Sequence, residues 1–325
     1  MPNASPVLPP CHGVIAAWRL GAIPTQLDPD AIVRMALAMD GPLWLHFDLV
    51  DARARQFLLA LPALPPSARA ALVEAEEATR IEAASGAIFG CLPDSHYEAE
   101  HISAPPVGLL HFALTEGLLV TARRHPLRGV HTALQAPSAL TAEEALGSVL
   151  RHALAAFALG IATLAASMAR IEDRLLRPGD GPPREHLAAV RRDALRLSRH
   201  LDPLVEALDE LAEDTPPPAA LAVPLLREAR RARTAVRALT GVLERGRIAQ
   251  DHAAARAAEE TNRRLLVLSV ISAAMLPASL VAGIFGMNVG GVPGVEVPGG
   301  FAMAMSLIGA SVVGVLVALK LWRLV

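Results

Sequence analysis

Aromatic residues, cysteines and net charge are all scarce in this chain, and each shortage narrows what it can be. Aromatics make up 3% of the 325 residues although 53% are hydrophobic. The apolar excess is therefore Ala, Leu and Val, which build helices and buried strands. So large an excess is high for a soluble chain, and part of it should face lipid. The formal charge is only −2, and the arginines are not interleaved with stacking aromatics, so a nucleic-acid partner is not expected. The two cysteines, Cys11 and Cys91, lie far apart, which indicates neither a disulfide framework nor a zinc knuckle and suits a reduced compartment. There is no Walker-type glycine loop, no G-x-S-x-G elbow and no H-E-x-x-H, so neither an enzyme nor a cofactor is expected. Met1 to Pro10 lacks the basic residues and apolar run of a secretory signal.

Two long uncharged runs lie near the C-terminus. Leu265 to Gly286 has 22 positions without a charge, and at about 1.5 Å per residue it can cross a hydrocarbon core of roughly 30 Å. Phe301 to Leu319 is the second, ending before Lys320 and Arg323. Arg263 and Arg264 precede the first span and the loop between the spans has no basic residue, so both termini are expected on the cytoplasmic side of the inner membrane. The uncharged stretch Ala153 to Ala169 is Ala-rich and interrupted by Gly160, Thr163 and Ser167, so it is expected to be a buried cytosolic helix.

The expected organisation is an α+β membrane protein. Residues 1–135 form a cytosolic α/β domain, 136–264 a helical bundle and stalk, 265–286 the first span, 287–300 an outside loop, 301–319 the second span and 320–325 a cytosolic tail. Strands are expected at Gly13 to Leu20, Pro42 to Leu49, Ala87 to Leu92, Val107 to Leu114 and Gly117 to Arg123. Helices are expected at Arg53 to Leu61 and Ser67 to Glu77, the second with Ser67 as its cap. Thr141, followed by Glu144, marks a capping box for a helix reaching about Leu176. The next helix should run from about Pro183 to Ala212, with Pro203 a break or kink. From near Pro224 a stalk helix without proline until Pro277 can enter the first span unbroken, about 60 residues and on the order of 90 Å.

Two spans per chain enclose no pore, so conduction requires an oligomer with one helix of each hairpin lining the axis. Leu265, Ser269, Ser272, Leu276, Ser279 and Gly283 recur at three- and four-residue spacing and form the candidate pore face, with Gly286 and Asn288 near its outer end. The same small residues also suit close packing between helices. A ring of Asn288 oxygens would hold a hydrated divalent ion without stripping its water. Asn288 also fits a helix C-cap. Glu296, the one charge in the loop, would form an acidic ring at the outer mouth, and Asp251, two heptads before Leu265, is a candidate for the inner mouth. Asp94, His96, Glu98, Glu100 and His101 gather nitrogen and oxygen ligands of the kind zinc takes, though spacing by two also describes the wet face of a strand.

Gly286-Met287-Asn288 at the end of the first of two C-terminal spans resembles the signature of the CorA superfamily of metal-ion transporters. The continuation Val289-Gly290-Gly291-Val292-Pro293-Gly294 and the pair Gly300-Phe301 resemble its ZntB-like zinc branch. Trp44-Leu45-His46-Phe47-Asp48, Leu119-Val120-Thr121-Ala122-Arg123 and Ile171-Glu172-Asp173 are similar to cytosolic landmarks of that family. The resemblance implies a homopentameric funnel in the lipid bilayer, with a stalk continuous with the pore helix and Gly286, Met287 and Asn288 at the outer selectivity ring. Zinc is the implied cargo, because the loop is Gly/Val/Pro-rich where magnesium-transporting relatives have an acidic, aromatic one. A magnesium or cobalt channel of the same architecture and a non-conducting membrane-anchored sensor are the alternatives.

Overall fold

The computed structural model describes residues 11–28, 32, 35, 41–75, 78–97, 106–177, 184–213, 219–287, 293 and 298–321. They divide into two compact units, Met1–Gln250 and Asp251–Val325.

The first unit is built on a seven-stranded sheet. Its strands are β1 (Val14–Arg19), β2 (Thr25–Gln26), β3 (Leu43–Asp48), β4 (Arg80–Ala84), β5 (Ala87–Ser95), β6 (Val107–Thr115) and β7 (Leu118–Arg123), in the order β2-β1-β3-β7-β6-β5-β4. β3 and β7 pair in parallel and the other neighbours are antiparallel. β3 reads as a near-continuous apolar run because both of its faces are covered, as parallel strands require.

One face of the sheet carries α1 (Ala52–Ala60) and α2 (Pro66–Val73). Leu43, Leu45 and Phe47 point into this core, where the Phe47 and Phe57 rings stack at 5.7 Å between centroids. Truncating such a buried residue to Ala costs about 2–5 kcal/mol. Asp51 caps α1 by accepting the Arg53 N–H at 2.9 Å. α2 begins one residue earlier than expected: Pro66 takes its first turn, where a missing N–H costs nothing, and Ser67 is not the cap.

The other face carries Trp44, His46 and Thr121 and is covered by α3 (Arg128–Gln135) and α4 (Ala142–Leu176). Thr141 caps α4 through the Glu144 N–H at 3.2 Å, while the Glu144 carboxylate returns to the Leu140 N–H at 2.8 Å. The reciprocal bond of the capping box thus lands one residue before the cap. Phe157, Ile161, Leu164 and Met168 are buried along α4, so the Ala153 to Ala169 stretch spends its apolar face inside this unit. Among the described residues, α4 is one of three helices able to cross a membrane by length and hydropathy alone.

α5 (Arg184–Glu213) and α6 (Ala219–Gly286) follow. Pro203 lies inside α5 and does not end it; Leu197, Leu201, Leu204, Leu208 and Leu211 make a continuous buried seam across the proline. α6 starts five residues before Pro224, and its part in this unit buries Leu225, Ala229, Ala232, Ala235, Leu239, Val242 and Ala249 at helical spacing. A helix this long holds in water only with such partners. Polar ties to α4 and α5 come from Arg245 with Glu172, Arg233 with Asp209, and Arg191 with Gln250.

The second unit contains the remainder of α6 and α7 (Gly300–Leu321).

Candidate ion pathway

The apolar stretches of α6 and α7 are almost wholly exposed. In water so much exposed Leu, Ile, Val and Met would aggregate, so these are surfaces for lipid and for neighbouring helices.

Their partial burial is periodic. On α6 the half-covered positions are Val270, Ala273, Ala274, Pro277, Ala278, Val281 and Phe285; on α7 they are Ala304, Ile308, Ser311, Val312, Val315 and Leu319. Steps of three and four residues place each set on one helical face, as in a hairpin whose two spans pack together. Leu265, Ser269, Ser272, Leu276, Ser279, Gly283 and Gly286 are all exposed. At about 100° per residue, this serine face is centred roughly 160° round the axis from the half-covered one. Small residues for packing within the hairpin and the serine stripe are therefore different sets.

The hydroxyls differ as well. On α7, Ser306 and Ser311 each donate 2.8 Å hydrogen bonds to their own helix, at the carbonyls of Ala302 and Ile308. The Ser269, Ser272 and Ser279 hydroxyls bond to no described group.

α6 ends at Gly286, where the Met287 N–H closes a last turn on the Ile284 carbonyl at 3.4 Å. Asn288 and Glu296, expected at the outer mouth, lie outside the described residues. Asp251 is exposed on α6, on the same helical face as the serine stripe.

Of the cytosolic ligand cluster, His101, Glu98 and Glu100 also lie outside the described residues. Asp94 is buried and acts as the cap of α3. Its oxygens accept N–H bonds from Gly129 at 2.8 Å, Val130 at 2.9 Å and Ser95 at 2.7 Å. Burial pushes its carboxyl up to about 6, against the pull of those three donors. His96 stacks on His125, 5.4 Å between ring centroids. Among the described residues, no three His, Cys, Asp or Glu side chains gather closely enough to hold a metal.

The landmark segments that begin with Trp44 and end with Arg123 are neighbours in the sheet. Thr121 Oγ1 accepts from Trp44 Nε1 at 3.0 Å and lies 2.9 Å from His46 Nδ1. Burial, then the nearby Arg123 charge, push the His46 pKa down to about 3, so the ring is neutral. Sequence reasoning did not single out His46 or Arg123 as a site, because only the β3–β7 pairing brings them together.

A sheet domain, a helical bundle and bare apolar helices long enough to cross a membrane describe a membrane protein. Residues 40–323 match the model of the family described as CorA-like Mg2+ transporter protein. The chain belongs to that family: it is a divalent cation transporter, not an enzyme. A zinc transport protein, ZntB of Pectobacterium atrosepticum, is 23% identical over 273 residues, covering 80% of this chain and 81% of that one. The full-length CmaX structure superposes with a TM-score of 0.77 at 23% identity over 96% of this chain and 98% of its own. The CorA magnesium transporter of Methanocaldococcus jannaschii gives 0.74 at 14% identity, covering 94% and 96%. At these identities the structural likeness carries the fold.

Proposed function

We propose that the chain carries zinc across the cytoplasmic membrane through the axis of a homopentamer, with the serine face of α6 lining the pathway. The observation that carries this is the placement of Ser269, Ser272 and Ser279: exposed, without partners among the described residues, and on the side of α6 away from its half-covered face. A stripe that only served the hairpin would lie on the covered side. Asn288 and Glu296 form rings at the outer mouth and Asp251 a ring at the inner one, with both termini cytoplasmic. A divalent ion moving down a membrane potential releases about 4.6 kcal/mol per 100 mV, twice the value for one charge.

Zinc is preferred because the loop after Met287 is Gly/Val/Pro-rich and because a protein named for zinc transport aligns with four-fifths of the chain. The second reading, a magnesium or cobalt channel, is favoured by the description of the family itself. Flux into proteoliposomes separates them, with zinc as the carried ion, magnesium as competitor and a pH gradient applied or absent. Zinc entry that resists magnesium upholds the proposal, and magnesium-dominated entry replaces it with the channel. No entry of either ion would leave a membrane-anchored sensor.

A further inference from the structure

A cavity of about 190 Å3 opens in the first unit between the β3–β7 pair and α3. Its walls are apolar, with Val130 and Leu134 of α3 among them, while its polar groups are His46, Arg123, Tyr97 and His131.

Arg123 is the unusual member. Its guanidinium is half-buried, and its side chain forms no hydrogen bond or ion pair with a described residue. Burial pulls its pKa below the ordinary arginine value. The neighbouring carboxylate is Asp48, its partner in the β3–β7 register, which accepts the Val50 N–H at 2.9 Å and forms no salt bridge with Arg123. A half-buried guanidinium that faces a cavity and has no side-chain acceptor among the described residues offers its N–H fork to an anion there.

The other polar groups fit the same guest. The Tyr97 hydroxyl bonds to no described group. His131 Nε2 lies 2.9 Å from the Gln135 amide nitrogen and must accept from it, which leaves Nδ1–H as a donor. Buried His46 is held by Thr121 and stays neutral, so it neither repels an anion nor competes for Arg123. A cavity of about 190 Å3 has room for a tetrahedral oxyanion or a small carboxylate.

We propose that this cavity binds a small oxyanion, either inorganic phosphate or a small carboxylate, on Arg123, with Tyr97 and His131 as further donors. The site lies in the sheet domain and is a binding equilibrium, independent of which ion crosses the membrane. It provides a place where the anion content of the cytosol can act on the α3 end of the sheet.

The test is calorimetric titration of phosphate, and separately of acetate, into the detergent-solubilised full-length protein freed of metal. Saturable binding is expected, weakened about tenfold or more by Arg123→Gln and unchanged by Arg170→Gln, which removes a charge from exposed α4 instead. Tighter phosphate binding assigns the site to phosphate-like anions, and tighter acetate binding to carboxylates. Should Arg123→Gln fail to fold, Ile15→Trp fills the cavity from its half-exposed β1 wall and is expected to abolish binding. Absence of saturable binding of either anion, or parent affinity in Arg123→Gln or Ile15→Trp, overturns the proposal.

Discussion

Arg245 on α6 holds Glu172 on α4 through two parallel bonds, Nε to Oε1 at 2.8 Å and Nη2 to Oε2 at 2.5 Å. The geometry is the strong bidentate one, yet the two side chains are 42% and 35% exposed, so water screens much of the attraction. A double-mutant cycle of Glu172→Gln and Arg245→Gln should give a coupling of about 1 kcal/mol or less in thermal unfolding. Each variant should still insert into membranes. A coupling several times larger would mean that the pair is desolvated in the assembled protein.

Asp94 supplies the cap that α3 lacks in its own sequence, since Leu127 precedes the helix and has no side-chain acceptor. Asp94→Ala should cost about 1–3 kcal/mol, because it strands the buried N–H groups of Gly129 and Val130. Gly129→Ala should also destabilise, since a Cβ there would come within 2.7 Å of the Asp94 carboxylate and 2.8 Å of the Ala153 backbone. Equilibrium dialysis checks the role: zinc stoichiometry of a folded Asp94→Asn variant should equal that of the parent.

His46 makes stability depend on pH with a fixed sign. Its folded pKa is about 3 and its ordinary value 6.5, so the unfolded chain binds the extra proton between those values. Stability from this residue is complete above pH 6.5 and declines as pH falls toward 3, by at most ~1.4 kcal/mol per unit. His111 and His200 are also pushed down by burial and act in the same direction, while Asp94, pushed up to about 6, acts in the opposite one. The difference between wild type and His46→Asn cancels these shared contributions. Unfolding measured from pH 7.5 to 4.5 in phosphate-free buffer should show a steeper acid decline for wild type, and parallel curves would disprove a neutral buried ring.

Much of the fold was legible because its signals are local. The strands from Val14, Leu43, Ala87, Val107 and Leu118 are apolar runs between turns, and α4 announces itself with Thr141 and Glu144. β4 was not legible: Arg80–Ala84 carries two charges and a single large apolar residue, and it exists because β5 offers it an edge. α3 was missed for a related reason, since its cap lies 33 residues before Leu127, on another strand. The serine stripe could be read at helical spacing, whereas its position opposite the half-covered face required the second span. The cavity at Arg123 depends on a parallel pairing 75 residues apart in sequence, which no local pattern encodes.

The two faces of α6 make opposite demands on substitution. If the serine face lines the pathway, Ser272→Leu and Ser279→Leu put bulky apolar groups where a hydrated ion must pass, and zinc flux should fall about tenfold or more. On α7, Ser306 already returns its hydroxyl to the Ala302 carbonyl, so Ser306→Ala should leave flux nearly unchanged. Asn288→Ala removes the proposed outer ring and should abolish flux while the oligomer still forms, as read by size-exclusion chromatography with light scattering. Packing between chains makes a different demand: if the stripe served only as a small-residue contact, Ser272→Leu and Ser279→Leu would break the oligomer before affecting transport. Loss of flux with the assembly intact therefore assigns the stripe to the ion, and dissociation assigns it to the interface.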